Sequence, residues 1–161
     1  MSTLCSLQTR LIESLYCDAL VLADEVRLGF DTARQELRQA NASEEQQIAF
    51  SCEALRTANR MMQCLSWLMN HRAHNRGQLT PIQLRRQGRL LDHFPPADER
   101  ALALMPQDLR ATVAMTQRLY DRVIRLDRAW RDTSRAKKSA RPEDAAKHRK
   151  RAPAQLYAVA G

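Results

Sequence analysis

The first forty residues constrain the fold most. Apolar or small residues recur at Leu4, Leu7, Leu11, Leu15, Ala19, Leu22, Val26, Phe30, Ala33, Leu37 and Ala40, always three or four apart. Ten steps cover 36 residues, a mean period of 3.6. That interval is the α-helical one, so the pattern predicts one long helix over about residues 4–39. Gly29 lies inside it and costs roughly 1 kcal/mol relative to Ala. A helix of this length cannot leave such a stripe in water, so the rest of the chain has to supply partners.

The punctuation that follows places those partners. Asn41-Ala42-Ser43 breaks the pattern, and Ser43 with Gln46 forms a capping box, with Glu44 and Glu45 where the helix dipole favours anions. The second helix repeats Ile48, Cys52, Leu55, Ala58, Met62, Leu65 and Met69, and is apolar nearly all round over 61–69. Such a helix is covered on more than one side. Gly77 ends it. Thr80-Pro81-Ile82-Gln83 starts a short helix reaching about Leu91, and Asp92 to Glu99, with Pro95-Pro96, reads as a loop. Pro106 opens the last long helix, whose stripe is Leu109, Val113, Met115 or Thr116, Tyr120, Val123, Leu126 or Asp127, and Trp130.

These elements predict an all-α fold: an elongated up-down three-helix bundle over residues 1–135 with a short extra helix. Leu15, Leu22, Leu55, Met62, Leu65, Trp67, Tyr120 and Val123 are its expected core. The all-round apolar centre of the second helix points to a further partner, most simply a second copy in a homodimer. Beyond Arg135 the stripe disappears into Ala, Lys, Arg, Ser and Pro, so 136–161 is expected to be a disordered basic tail.

Composition narrows the function. Aromatic residues make up 5% and glycines number four, which argues against β-sandwiches, barrels and Gly-rich phosphate loops. No apolar run approaches the ~20 residues needed to cross a bilayer, so no membrane partner is expected. The start, Met1-Ser2-Thr3-Leu4, has no signal-peptide pattern, and a cytoplasmic location follows as an expectation. The formal charge of +8 is unevenly distributed. Residues 131–161 hold nine cations against three anions, leaving +2 for residues 1–130. In the tail, Lys147, Arg149, Lys150 and Arg151 suit phosphate backbones, an acidic protein surface or plain solubility. The absence of interleaved aromatics weighs against nucleic acid.

Cys5, Cys17, Cys52 and Cys64 make no CxxC pair and read as free thiols in helices. Cys64, His71 and His74 share a helix face, yet a structural zinc site normally takes four ligands at recognisable spacing. No Walker loop, GxGxxG, EF-hand or HExxH is present, and four scattered histidines imply no triad. The expectation is a protein that is not an enzyme and needs no cofactor or metal. Arg56 and Arg60, four apart on the second helix, either pair with carboxylates or present a partner-binding face.

The second helix also carries a resemblance. Glu53-Ala54-Leu55-Arg56-Thr57-Ala58-Asn59-Arg60-Met61-Met62-Gln63-Cys64-Leu65-Ser66-Trp67-Leu68-Met69 resembles a pattern E-x-[ML]-R-x-T-x-R-[LM]-M-Q-x-x-S-W-L-[LM]. Its continuation is His71-Arg72-Ala73 and Gly77-Gln78-Leu79-Thr80. Leu15 to Glu25 is similar to L-[YF]-x-E-[AG]-M-x-L-V-E-E, and Leu119 to Asp127 to L-Y-x-R-V-x-R-L-D. Together these cover about residues 11–130. The patterns are those of the alphaproteobacterial regulator of CtrA degradation, RcdA, a family also catalogued as a domain of unknown function. The resemblance implies a dimeric three-helix bundle acting as a non-enzymatic adaptor for the ClpXP protease. It would help deliver cell-cycle transcription regulators to the ClpX unfoldase, with a priming response regulator docked there. The chain departs from the patterns at Ala58-Asn59, at the turn Asn75-Arg76-Gly77 and at Asp18.

Overall fold

The computed structural model describes residues 2–91 and 93–139, with side chains over 7–133 apart from residue 92. Among the described residues there are five helices and no strand: α1 (Ser2–Gln39), α2 (Glu44–Asn75), α3 (Pro81–Gln87), α4 (Glu99–Ala103) and α5 (Gln107–Ser139). The all-α class and the three long helices agree with the sequence pattern. α4 starts at Glu99, the last residue of the stretch that reads as a loop, and lies before Pro106. It is only five residues long and Asp98 caps it by accepting from the Arg100 N–H. α3 stops at Gln87, short of Leu91. The expected tail over 136–161 lies mostly outside the described residues, although α5 itself continues to Ser139.

Local chemistry fixes the turns. The chain leaves α1 through Asn41, whose φ of 52° is left-handed, a conformation Asn tolerates better than other side-chain-bearing residues. The Ala42 N–H donates to the Leu37 carbonyl and the Asn41 N–H to that of Arg38, so two end carbonyls are satisfied. The same pattern closes α2: Gly77 at φ 74° donates to His74, and Gln78 donates to Ala73. Both capping boxes form, Ser43 with Gln46 and Thr80 with Gln83.

The chain divides into two compact units, 1–125 and 126–161, and α5 contributes to both. Within the first, α1 and α2 are antiparallel, as Phe30 against Phe50 at one level and Glu13 against Arg72 at another show. The connection after α2 then runs back along it, with Gln87 bonded to Asn70 and Asp98 bonded to Glu53. α5 therefore starts at the same end as α2 and runs beside it in the same direction, bringing Leu109 to Gly29 and Thr116 to Arg60. Gly29 permits that approach, since a methyl group there would stand 2.9 Å from Leu109 Cδ1.

The core of this unit is built by Ile12, Leu15, Ala19, Leu22, Val26, Phe30 and Ala33 of α1 with Leu109, Val113, Thr116, Tyr120 and Val123 of α5. Thr116 takes the buried position and Met115 stays exposed. From α2 come Phe50, Met61, Cys64, Trp67 and Leu68. Leu15, Leu22, Trp67, Tyr120 and Val123 are thus buried as expected, and Leu65 is half-buried. Leu55 and Met62 are not in the core: they are 71% and 64% exposed. The reason is the large area of Phe50 and Trp67. Burying these aromatics turns the opposite side of α2, with Leu55 and Met62, to solvent. In the second unit, the described part is the end of α5, where Asp127 pairs with Arg131 and Thr133 donates to the Ala129 carbonyl.

Candidate functional site

Helix α2 has two unusual faces. The inner one holds charge. Glu53 is fully buried and Arg60 is 2% exposed. The Glu53 carboxylate accepts from the Asp98 N–H at 3.0 Å, from Thr57 Oγ1 at 3.3 Å and from Arg56. Arg60 Nη1 donates to Thr116 Oγ1 at 2.9 Å, and Thr116 donates in turn to the Val113 carbonyl at 2.7 Å. The Arg60 guanidinium lies 5.3 Å from the centre of the Phe94 ring, and Phe94 packs on Tyr120 at 5.5 Å. Tyr120 donates to the Leu91 carbonyl.

Burial works against the charge on Arg60 and lowers its pKa, while Glu53 opposes the shift. One helix turn further on, burial pushes the Cys64 thiol up to about 12, so it stays protonated at neutral pH and behaves as a small apolar group. His71 stacks on Trp67 with ring centres 3.9 Å apart. His74 Nδ1 lies 2.8 Å from the Leu79 carbonyl oxygen. Among the described residues no three His, Cys, Asp or Glu side chains stand together as metal ligands. Chemically this network is a clamp: it ties the 88–98 connection and α5 to α2 through groups that cannot be left unpaired.

The outer face is the reverse. Ile48, Leu55, Met62 and Met69 are each more than half exposed. They stand seven residues apart, with Cys52, Ala58, Asn59 and Ser66 exposed between them. No exposed α2 residue from Gln46 to Asn70 is charged, in a chain that is 27% charged overall. Two shallow hollows flank this strip. One, of about 290 Å³, is lined by Arg34 and Leu37 of α1 with Phe50 and Leu55. The other, of about 130 Å³, lies beside Met62, Trp67 and Arg89. A contiguous apolar strip without charge is what the centre of a protein–protein interface looks like, where Met is enriched and Lys, Glu and Asp are depleted.

Of the residues proposed for partner binding, Arg60 is in the core, held by Thr116 and Phe94, and cannot meet a partner. Arg56 is half-buried and spends its charge on Glu53. Arg56 therefore follows the carboxylate-pairing alternative, whereas Arg60 follows neither: its partners are a hydroxyl and an aromatic ring. Lys147, Arg149, Lys150 and Arg151 lie outside the described residues. Glu53 and Thr57 are not singled out by the apolar pattern, because polar residues on a helix are read as its wet side, and Thr116 enters it only as the alternative to Met115. The one signal for Glu53 and Thr57 is spacing: 53, 57, 60, 64, 67 and 71 also follow the helical period.

The chain matches, over residues 5–154, the model of a family described as protein of unknown function (DUF1465). It belongs to that family. No curated protein and no solved structure matches it. The match starts within α1 and runs past the end of α5, so the whole of α2 falls within it. No helix among the described residues is long and apolar enough to cross a membrane.

Proposed function

We propose that the protein is a non-enzymatic adaptor that works by holding other proteins, and that it acts in the cytoplasm to help deliver cell-cycle transcription regulators to ClpXP. The observation that carries the binding role is the charge-free apolar outer face of α2, displayed on a bundle in which the buried Glu53 and Arg60 are held by internal bonds. The ClpXP assignment rests on the resemblance of α1, α2 and α5 to the RcdA patterns. In that role the partners are the ClpX unfoldase with its priming response regulator and the cargo regulators. A tether works by raising the effective concentration of cargo at the unfoldase, and requires no catalytic residue of its own.

The test is reconstituted degradation of candidate response regulators by ClpXP with the priming regulator present. Addition of this protein is expected to raise the degradation rate of at least one cargo severalfold, and Leu55→Glu with Met62→Glu to abolish the gain. Unchanged rates across all cargoes tested would defeat the proposal.

A further inference from the structure

We infer that α3 and the turn after it form a docking ledge for an acidic segment of a partner protein that carries an apolar anchor. The inference rests on the adaptor reading and names the chemistry of what is held. Between Glu53 and Asp92 the chain runs for 38 residues with seven arginines and no acid. Four of these arginines are engaged within the fold: Arg56 lies on Glu53, Arg60 is buried against Thr116, and Arg72 and Arg76 meet Glu13. Arg85, Arg86 and Arg89 are left. All three are exposed, and among the described residues none of them forms an ion pair. Cations this close along the chain repel one another, and a partner's carboxylates would relieve that repulsion.

The ledge is apolar as well as charged, and its backbone is held in place. Ile82, Arg85 and Arg86 stand three and four apart and share the outward face of α3, while Leu84 is half-buried. Ile82 and Leu91 are each more than half exposed. Arg89 borders the hollow of about 130 Å³ whose wall includes Met62 and Trp67, which sets an apolar recess beside a cation. Gly88 closes the turn: its N–H donates to the Leu84 carbonyl at 2.7 Å, and a Cβ there would stand 2.7 Å from the same oxygen. Asn70 donates to the Gln87 carbonyl at 3.0 Å, and Leu90 is buried. A fixed backbone lowers the ordering cost of binding. Arg, Met and Trp together are the composition of a protein contact. Nucleic acid fits less well. Phosphates would use the arginines, but bases would have no platform, since every described Phe, Tyr and Trp is buried or half-buried.

Fluorescence polarisation with the full chain tests the inference. The probe is a labelled helical peptide of about 20 residues with Glu on one face and Leu on the other, compared with a twin carrying Lys for Glu and with a short DNA duplex. The Glu peptide is expected to bind, more weakly as salt is raised, and the Lys twin not to bind. Arg85→Glu with Arg89→Glu is expected to weaken binding at least about tenfold while far-UV circular dichroism is retained, since both side chains are exposed. Arg85→Gln with Arg89→Gln must weaken it in the same direction, which guards against a folding defect. Ile82→Ala is expected to weaken it about threefold, a loss that charge attraction alone does not produce. Arg118→Glu with Arg122→Glu, an equal change of charge on the exposed side of α5, should leave binding within about twofold at ~0.15 M salt. Equal losses from the α3 and α5 pairs, or no loss from either, would overturn the inference. DNA that binds more tightly than the Glu peptide through Arg85 and Arg89 would overturn it in favour of nucleic acid. A chain that ignores the peptide yet still accelerates degradation removes the ledge and leaves the adaptor proposal standing. A chain that binds the peptide as expected and delivers nothing does the opposite.

Discussion

Helices α1 and α2 share a period and pack on each other, yet they sort their residues in opposite ways. α1 buries the stripe that its sequence displays, from Leu15 through Ala19, Leu22, Val26 and Phe30 to Ala33. α2 buries Glu53, Thr57, Arg60 and His71 among its apolar residues, and turns Ile48, Leu55, Met62 and Met69 outward. The one stripe of α1 meets α2, through Phe30 on Phe50, and α5, beside Leu109. α1 has one such stripe, and α2 has two. The inner side of α2 is set by its aromatics and its internal pairing, which leaves its smoother apolar row for something else.

Removing Glu53 should give the largest effect. Glu53→Ala strips Arg56 and the Asp98 N–H of their acceptor and leaves Arg60 with no counter-charge from that carboxylate. Breaking one partner of a buried ionic network costs about 3–5 kcal/mol. Urea denaturation should show the midpoint falling accordingly. Trp67→Ala on the same inner face should lose a similar amount, about 3–5 kcal/mol, through the cavity it leaves. If either variant unfolds at the wild-type midpoint, the inner face is not the structural one.

The paired comparison is Leu15→Ala against Leu55→Ala. Both delete the same atoms. Leu15 is 1% exposed, and its loss should cost about 2–5 kcal/mol. Leu55 is solvent-exposed in the single chain, and measured well below any self-association its truncation should stay within about 0.5 kcal/mol. Equal costs at the two sites would erase the distinction between the helices.

How far this was legible in the sequence follows from the same two helices. The stripe of α1 could be read because its apolar positions form one face, and the capping boxes and Gly77 could be read because each satisfies end groups by local chemistry alone. The side that α2 buries could not be read by counting apolar positions. Ile48-Cys52-Leu55-Ala58-Met62-Leu65-Met69 and Phe50-Glu53-Thr57-Met61-Cys64-Leu68 are both helical stripes, and the second loses a count of hydrophobic residues because its charges are cancelled only in three dimensions, by Thr116, Asp98 and Phe94. Phe50 and Trp67 were the available clue. The direction of α5 was hidden for a related reason: it depends on Glu53 and Asn70 gripping the backbone of a connection whose own sequence reads as loop.

A smaller effect belongs to the turn that ends α2. Gly77 holds φ 74°, and nothing lies within 4 Å of where a Cβ would be. Gly77→Ala therefore meets no steric clash and pays only for the left-handed backbone, about 1–2 kcal/mol. Gly29→Ala is the useful contrast. Its backbone is helical, and the added methyl would press on the far end of the Leu109 side chain, which can rotate away. The helix-propensity gain of about 1 kcal/mol then offsets the crowding. Thermal melts should rank Gly77→Ala below wild type and Gly29→Ala close to it.

The smallest effect lies at the exposed edge where α1 and α2 meet through charge instead of apolar contact. Glu13 on α1 forms an ion pair with Arg72 at 2.9 Å and accepts from Arg76 at 3.3 Å, both near the end of α2, and Arg72 also covers the Tyr16 ring at 4.0 Å. The Arg72 guanidinium beside it, foremost, holds the Glu13 carboxyl below its ordinary value of 4.5. A carboxylate whose pKa is lower in the folded chain stabilises the fold above its unfolded value, and that contribution disappears as pH falls through the folded one. Glu13→Gln should therefore cost a little at neutral pH and flatten the loss of stability on acidification below about pH 4.5. The pair is solvent-facing, so raising the salt concentration should shrink the difference between the two proteins. Leu55→Ala, on the uncharged face of the same hairpin, should respond to neither pH nor salt in this way, which separates the charged edge from the apolar strip by measurement alone.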